Sequence, residues 1–348
     1  MHKFQISTRA IGSEYPPFVI AELSANHNGD IELVKKLMDK ATDCGADAIK
    51  IQTYSADTMT IKSKKADFFI SHGLWKGRSL YDLYEKAQTP FEWQEELFNY
   101  ARKKNIILFS TPFDESAAEL LTNVGTPAFK ISSFENTDIG LLKNVASRGK
   151  PVMVSSGMAD KMEIKKAVKT IRQSGCKDLL LFHCISAYPT PLESSKLGMI
   201  KILSNEFKVM VGLSDHTLGN EAAVAAVMLG AVAIEKHFTL DRSLGGEDSS
   251  FSVEPKEFAK LVKTTKEVWK SMRDKSWTRT PAENENKKFR RSIYFVKSMK
   301  KGDRLSTDNI RKIRPGHGLP AEFFEDIIGR SVKRDVSAGD RVSWDLLD

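Results

Sequence analysis

The sequence predicts a (β/α)8 barrel followed by a small, mostly β domain, and three observations carry that prediction. Eight short apolar runs rich in β-branched residues recur along the chain, amphipathic helical segments separate them, and the pattern changes abruptly after residue 273. Eight strand-helix units ending by about residue 272 specify a closed barrel more economically than a doubly wound sheet, whose strands usually number about five or six.

The first run, "PFVIAEL", is followed by "IELVKKLMDKATDCG", a segment apolar at roughly every third and fourth position and stopped by Gly45. The second run, "DAIKIQTY", leads into a connection from Ser55 to Thr89 that is far longer than an ordinary β-to-α loop. It contains "HGLWKGRSLYDLY", aromatic and charged together, and reads as a lid or specificity loop on the barrel rim. The helix candidate "PFEWQEELFNYARKKN" resumes the rhythm. Then come "IILFSTPF", "PAFKISSF", "KPVMVSSGM", "DLLLFHCIS", "KVMVGLSDHT" and "VAIEKHFTL", with helices such as "EIKKAVKTIRQSG" between them. Residues 1–273 are therefore expected to form the barrel and 274–288 a linker. Residues 289–348, with two "GDR" turns and little helical pattern, are expected to form the second domain.

Composition narrows the function. The chain has 348 residues, 41% of them hydrophobic, enough for one large core and a smaller one. Its apolar stretches are too short to span a bilayer and its N-terminus lacks an apolar signal region, so a cytoplasmic protein is expected. Cys44, Cys176 and Cys184 show no CxxC spacing, which argues against a disulfide framework or a thiolate metal site. A net charge of +8 suits an anionic ligand, but much of it lies in the linker region and no nucleic-acid-binding motif accompanies it.

In a parallel barrel the active site lies at the C-terminal strand ends, and here nearly every run starts apolar and finishes polar. Side-chain alternation lets Lys50 and Gln52 share one face, Ser214 and His216 another, and Glu235 and His237 a third. Lys236, between the last two, should face away. Lys130 has the opposite parity to Ser133 and Glu135, so a bulge or a strand end must separate them. His216 and His237, one βα unit apart, can converge on a divalent cation acting as a Lewis acid. Two ligands are fewer than a structural zinc site uses, so the ion would be exchangeable. Lys50 and Lys130 require an anionic partner: a phosphate or carboxylate ligand held with Thr111, Ser133, Ser155 and Ser214, or a neighbouring acid such as Glu22 or Glu135. Schiff-base chemistry at either lysine is an alternative.

At these residues a resemblance emerges. "AELSANHNGD", "GADAIKIQTY", "FSTPFD", "FKISSFE", "SSGM", "AYPTP", "GLSDHTLG" and "EKHFTLDRSLGGEDSSFS" resemble, in order and spacing, the sialic acid synthase family. That family condenses phosphoenolpyruvate with an N-acetylated amino sugar, and the tail is similar to its antifreeze-like (SAF) domain. "AELSANHNG" and "GLWKGRSLYDLY" resemble the pseudaminic acid synthase branch, whose sugar is 2,4-diacetamido-2,4,6-trideoxy-altrose.

The resemblance implies that His216 and His237 hold a divalent metal, manganese with magnesium or cobalt as alternatives. It implies that Lys50, Thr111, Lys130, Ser133, Ser155 and Ser214 hold phosphoenolpyruvate. Glu22, Gln52, Glu135, Tyr188 and Asp248 would then surround the sugar and the attacking water, with Glu22 and Glu135 as catalytic candidates. Glu135 is the candidate for moving protons, because it is taken to share a face with Ser133. Arg314 in "IRPGHG" resembles an arginine sent across a domain-swapped homodimer to hold an N-acetyl group. Ser186 stands where sialic acid synthases often have Asn. Rival readings are a sialic or legionaminic acid synthase on the same scaffold, or a carbohydrate-binding or ice-binding protein with an inert barrel.

Overall fold

The computed structural model describes residues 3–348. The chain divides into two compact units, one running to Asp274 and the other from Lys275 to Asp348. A hairpin of β1 (Phe4–Ile6) and β2 (Arg9–Ile11) opens the first unit. There follow β3 (Phe18–Glu22), β4 (Ala48–Thr53), β5 (Leu108–Pro112), β6 (Phe129–Ile131), β7 (Val152–Ser155), β8 (Leu179–His183), β9 (Met210–Asp215) and β10 (Ala233–His237). These eight close into a parallel barrel in sequence order, β10 returning to β3 with His237 beside Glu22. All eight expected strands are present.

The apolar runs are continuous because each barrel strand is buried on both faces. Val19, Ala21, Ile49, Ile51, Val152, Val154, Val211 and Ile234 face outward into the core shared with the helices. Phe18, Ile20, Ala48, Phe109, Met153, Leu180, Phe182 and Ala233 point inward and fill the N-terminal half of the barrel. Phe4, Ile6 and Ile11 of the hairpin join that inner cluster and close the barrel floor. Gly212 belongs to the same layer. A Cβ there would lie 2.7 Å from the Phe182 ring and 2.8 Å from the Ala233 carbonyl, so glycine makes room for the phenylalanine.

The helices follow from caps and spacing. Asp30 caps Ile31–Asp43 by accepting from the Glu32 amide, and Val34, Leu37, Met38 and Ala41 form its buried stripe. Val34, Leu37 and Met38 each contribute roughly 1.5–3 kcal/mol of gross hydrophobic stabilisation. Asp160 and Glu163 form a capping box on Lys161–Gln173, which buries Ile164, Ala167, Val168 and Ile171. Among the described residues no helix is long and apolar enough to cross a membrane.

The second unit has its own core, including Ile293, Phe295, Leu305, Ile310, Val332 and Val342, around β11 (Ser292–Phe295) and the antiparallel β12 (Ile310–Ile313). The two "GDR" turns are built alike: Asp303 accepts from the Lys300 amide at 2.8 Å and Asp340 from the Ser337 amide at 2.7 Å. Within residues 274–288 lies one short exposed helix, Pro281–Asn286, capped by Thr280 and Glu283.

Candidate active site

Above the apolar floor the inward positions become charged. Glu22 on β3, Lys50 on β4, Lys130 on β6 and Glu235 on β10 are all buried and continue the inward parity of the residues below them. Lys50 lies 2.9 Å from Glu22 and 3.3 Å from Glu235, while Lys130 binds both oxygens of Glu235 at 3.1 and 3.2 Å. Ser214 donates to the same carboxylate at 2.9 Å, and Lys50 reaches Thr111 at 3.3 Å.

Burial alone would raise the pKa of a carboxyl, yet Glu235 is driven strongly down because two ammonium groups flank it. Glu22 goes the other way: burial, reinforced by the negative Glu235, outweighs Lys50 and pushes it up to about 7. Two carboxyls in one cavity are thus set far apart in proton affinity, the arrangement that separates an acid from a fixed charge. The lysines also differ. Burial works against both, but Lys50 has two carboxylates and its pKa rises, whereas that of Lys130 falls under burial and the charge of Lys50.

At the mouth, the ring centroids of His216 and His237 are 5.4 Å apart. Tyr188 covers His216 at 4.4 Å and Phe251 packs on His237 at 5.0 Å. Burial pushes His216 down to about 4 and His237 well below its ordinary value, so both rings are neutral and offer lone pairs. Nδ1 of His216 donates to the Ile185 carbonyl at 2.9 Å, which fixes the tautomer and frees Nε2. Nδ1 of His237 is buried with no hydrogen-bond partner among the described residues, and Asp248 stands 3.9 Å from it. Asp248 in turn accepts from Ser24, which binds Gln52 at 2.9 Å, and Gln52 donates to Glu22 at 3.1 Å. A polar chain therefore runs from Asp248, beside the His237 imidazole, to Glu22. No group of three or more His, Cys, Asp or Glu side chains is arranged to hold a metal among the described residues.

The sequence profile of the NeuB family matches residues 37–276. The chain belongs to the NeuB family. A SAF domain profile matches residues 290–348. Pseudaminic acid synthase of Campylobacter jejuni is 42% identical over 323 residues, covering 93% of this chain and 94% of that protein. The N,N'-diacetyllegionaminic acid synthase of the same species is 37% identical over 316 residues, covering 90% and 94%. The solved N-acetylneuraminic acid synthetase of Leptospira borgpetersenii superposes with a TM-score of 0.73 at 33% identity, covering 82% of this chain and 95% of that one. The family resemblance read from the motifs holds.

Of the residues expected at this NeuB-family site, Glu22, Lys50, Gln52, Thr111, Lys130, Ser214, His216, His237, Tyr188 and Asp248 form one connected constellation. Ser155 is buried at the end of β7, hydrogen-bonded near Cys184. Arg314 is exposed in the second unit. Two local expectations need correction. The partner of Lys130 is Glu235, not Glu22 or Glu135. Nor do Ser133 and Glu135 share a strand face: β6 ends at Ile131, and in the turn beyond it Ser133 meets Ser186 at 2.9 Å while Glu135 accepts from Ser132.

Several contributors were not singled out from sequence. Phe251 and Cys184 sit inside quoted motifs but look like core residues. Burial pushes the Cys184 thiol up despite the Lys130 ammonium beside it. The Ser55–Thr89 connection is partly helical, with Ala56–Met59 and Leu80–Ala87. It reaches Glu247: Arg78 and Lys86 pair with that carboxylate, and the Trp75 indole donates to its carbonyl at 3.3 Å. The Trp75 ring stands 6.2 Å from Tyr188, which places the connection over the mouth.

Proposed function

We propose that this chain is a nonulosonic acid synthase of the pseudaminic type, condensing phosphoenolpyruvate with 2,4-diacetamido-2,4,6-trideoxy-altrose. The observation that carries the reading is the meeting, inside one barrel mouth, of a neutral imidazole pair and a two-lysine anion cradle, with Glu22, its carboxyl pushed up to about 7, beside them. The relatives named above support the reaction class.

His216 and His237 would hold the divalent cation, because one has its Nδ1 engaged and its Nε2 free and the other has an orphaned buried Nδ1. When bound there, manganese, magnesium or cobalt would supply Lewis-acid polarisation of the sugar's aldehyde. Lys50 and Lys130 bind the anionic groups of phosphoenolpyruvate, assisted by the hydroxyls of Thr111, Ser133, Ser155 and Ser214. The methylene carbon of phosphoenolpyruvate attacks the aldehyde carbon, and Glu22 gives its proton to the aldehyde oxygen as it becomes a hydroxyl. Water adds at the cationic C2 centre and gives up a proton, for which Glu135, in the turn after β6 with its carboxyl pushed up by burial, is the candidate acceptor. The adduct then loses phosphate by carbon-oxygen cleavage. Gln52, Tyr188 and Asp248 face the sugar, and the reading includes a homodimer in which Arg314 of one subunit serves the partner's sugar.

The test offers phosphoenolpyruvate with each of three sugars: the trideoxy altrose, the sugar used by legionaminic acid synthases, and N-acetylmannosamine. The altrose sugar is expected to give the highest kcat/KM for phosphate release. Faster release with either of the others moves the chain to that branch. No release with any sugar overturns the synthase reading and leaves a binding protein.

A further inference from the structure

Lys236 is the buried charge the chemistry does not use. It lies between Glu235 and His237 on β10 but points the other way, into the layer between barrel and helices, and is 1% exposed. A lysine is costly there, and an apolar residue would fill the space without a charge to desolvate. Its three ammonium hydrogens are all spent on the segment that carries His216. Nζ donates to Asp215 Oδ2 at 2.7 Å, to the Thr217 carbonyl at 2.5 Å and to the Gly219 carbonyl at 3.0 Å. Asp215 closes the same segment from within, its Oδ1 accepting from the Thr217 amide at 2.9 Å and hydroxyl at 2.8 Å.

We propose that Lys236 is a positioning residue for His216, a crossbar by which β10 sets the height of its neighbour's imidazole while carrying His237 itself. The segment after β9 contains Gly219 in a left-handed conformation and only an isolated bridge from Thr217 to Thr190 before the helix at Glu221, so the Thr217 and Gly219 carbonyls have no helix or sheet ladder to hold them. Lys236 supplies that restraint on the outer side. On the inner side His216 is held by its Nδ1 contact to Ile185 and by the Thr190 amide, which donates to its carbonyl at 2.9 Å. With both sides fixed, the spacing of the two imidazoles is set before any cation arrives. An apolar side chain at 236 would pack, but it could not bind two carbonyls and a carboxylate at once.

The inference rests on reading His216 and His237 as a cation pair, and its test separates the two ideas. Lys236→Met is compared with Lys236→Met/Asp215→Asn, which removes the buried charge left behind and keeps a folded protein available, and with His216→Ala. Manganese affinity is measured by the electron paramagnetic resonance signal of the free ion, and foldedness by circular dichroism. Both Lys236 variants are expected to bind manganese about ten- to a hundredfold more weakly, the usual effect of removing a group that orients a metal ligand. A merely structural role would lower the melting temperature without moving manganese affinity in the folded double variant; an affinity within about twofold of the parent there, alongside loss in His216→Ala, overturns the crossbar. Unchanged binding in His216→Ala overturns the cation pair and the crossbar with it.

Discussion

Glu235→Gln should cost about 3–5 kcal/mol of unfolding free energy and stop turnover, because it removes the one carboxylate that serves two buried lysines. Lys50 keeps Glu22, but Lys130 is left over the Phe182 ring with no counter-charge. Breaking one partner of a buried pair is far worse than never having had it. Denaturant unfolding should show this as a lower midpoint with an unchanged slope. Adding Lys130→Met to Glu235→Gln should recover much of the stability, since it removes the stranded ammonium, while turnover stays lost for want of an anion cradle. A single variant as stable as the parent would mean that the carboxylate is not the counter-charge.

His237→Ala should do the reverse. The ring sits at the mouth, above the apolar floor, and its buried Nδ1 makes no hydrogen bond that folding depends on. The melting temperature should therefore move little. Turnover should fall by roughly three orders of magnitude, since a Lewis acid at a developing alkoxide is worth several kcal/mol. Retained turnover in a folded His237→Ala protein would sink the metal role of this residue.

The barrel was legible because its strands are buried on both faces, so each appears as an apolar run, and because the inward parity persists where those runs turn polar. That continuity correctly aims Lys50, Gln52, Ser214, Glu235 and His237 into one space and Lys236 out of it. What alternation cannot supply is the pairing across the barrel. β6 and β10 are diametrically opposed in the closed sheet, so Lys130 and Glu235 meet across 105 residues of sequence while the nearer Glu135 looks like the natural partner. Parity also fails where a strand stops: β6 has only three residues and ends at Ile131, which is enough to misplace Glu135 relative to Ser133. The floor hairpin escaped notice for a related reason, since each of its strands has only three residues. The polar chain from Asp248 through Ser24 and Gln52 to Glu22 joins the segments after β3 and β10 to the ends of β3 and β4, and no local spacing encodes it.

The most direct measurement follows both products of one reaction. Phosphoenolpyruvate carrying heavy oxygen in its carbon-oxygen-phosphorus bridge is incubated with the trideoxy altrose sugar and manganese, and the acid and the phosphate are weighed by mass spectrometry. A diacetamido nonulosonic acid without label, together with labelled phosphate, is the predicted outcome. No acid, or an acid that retains the bridging oxygen, would contradict the account.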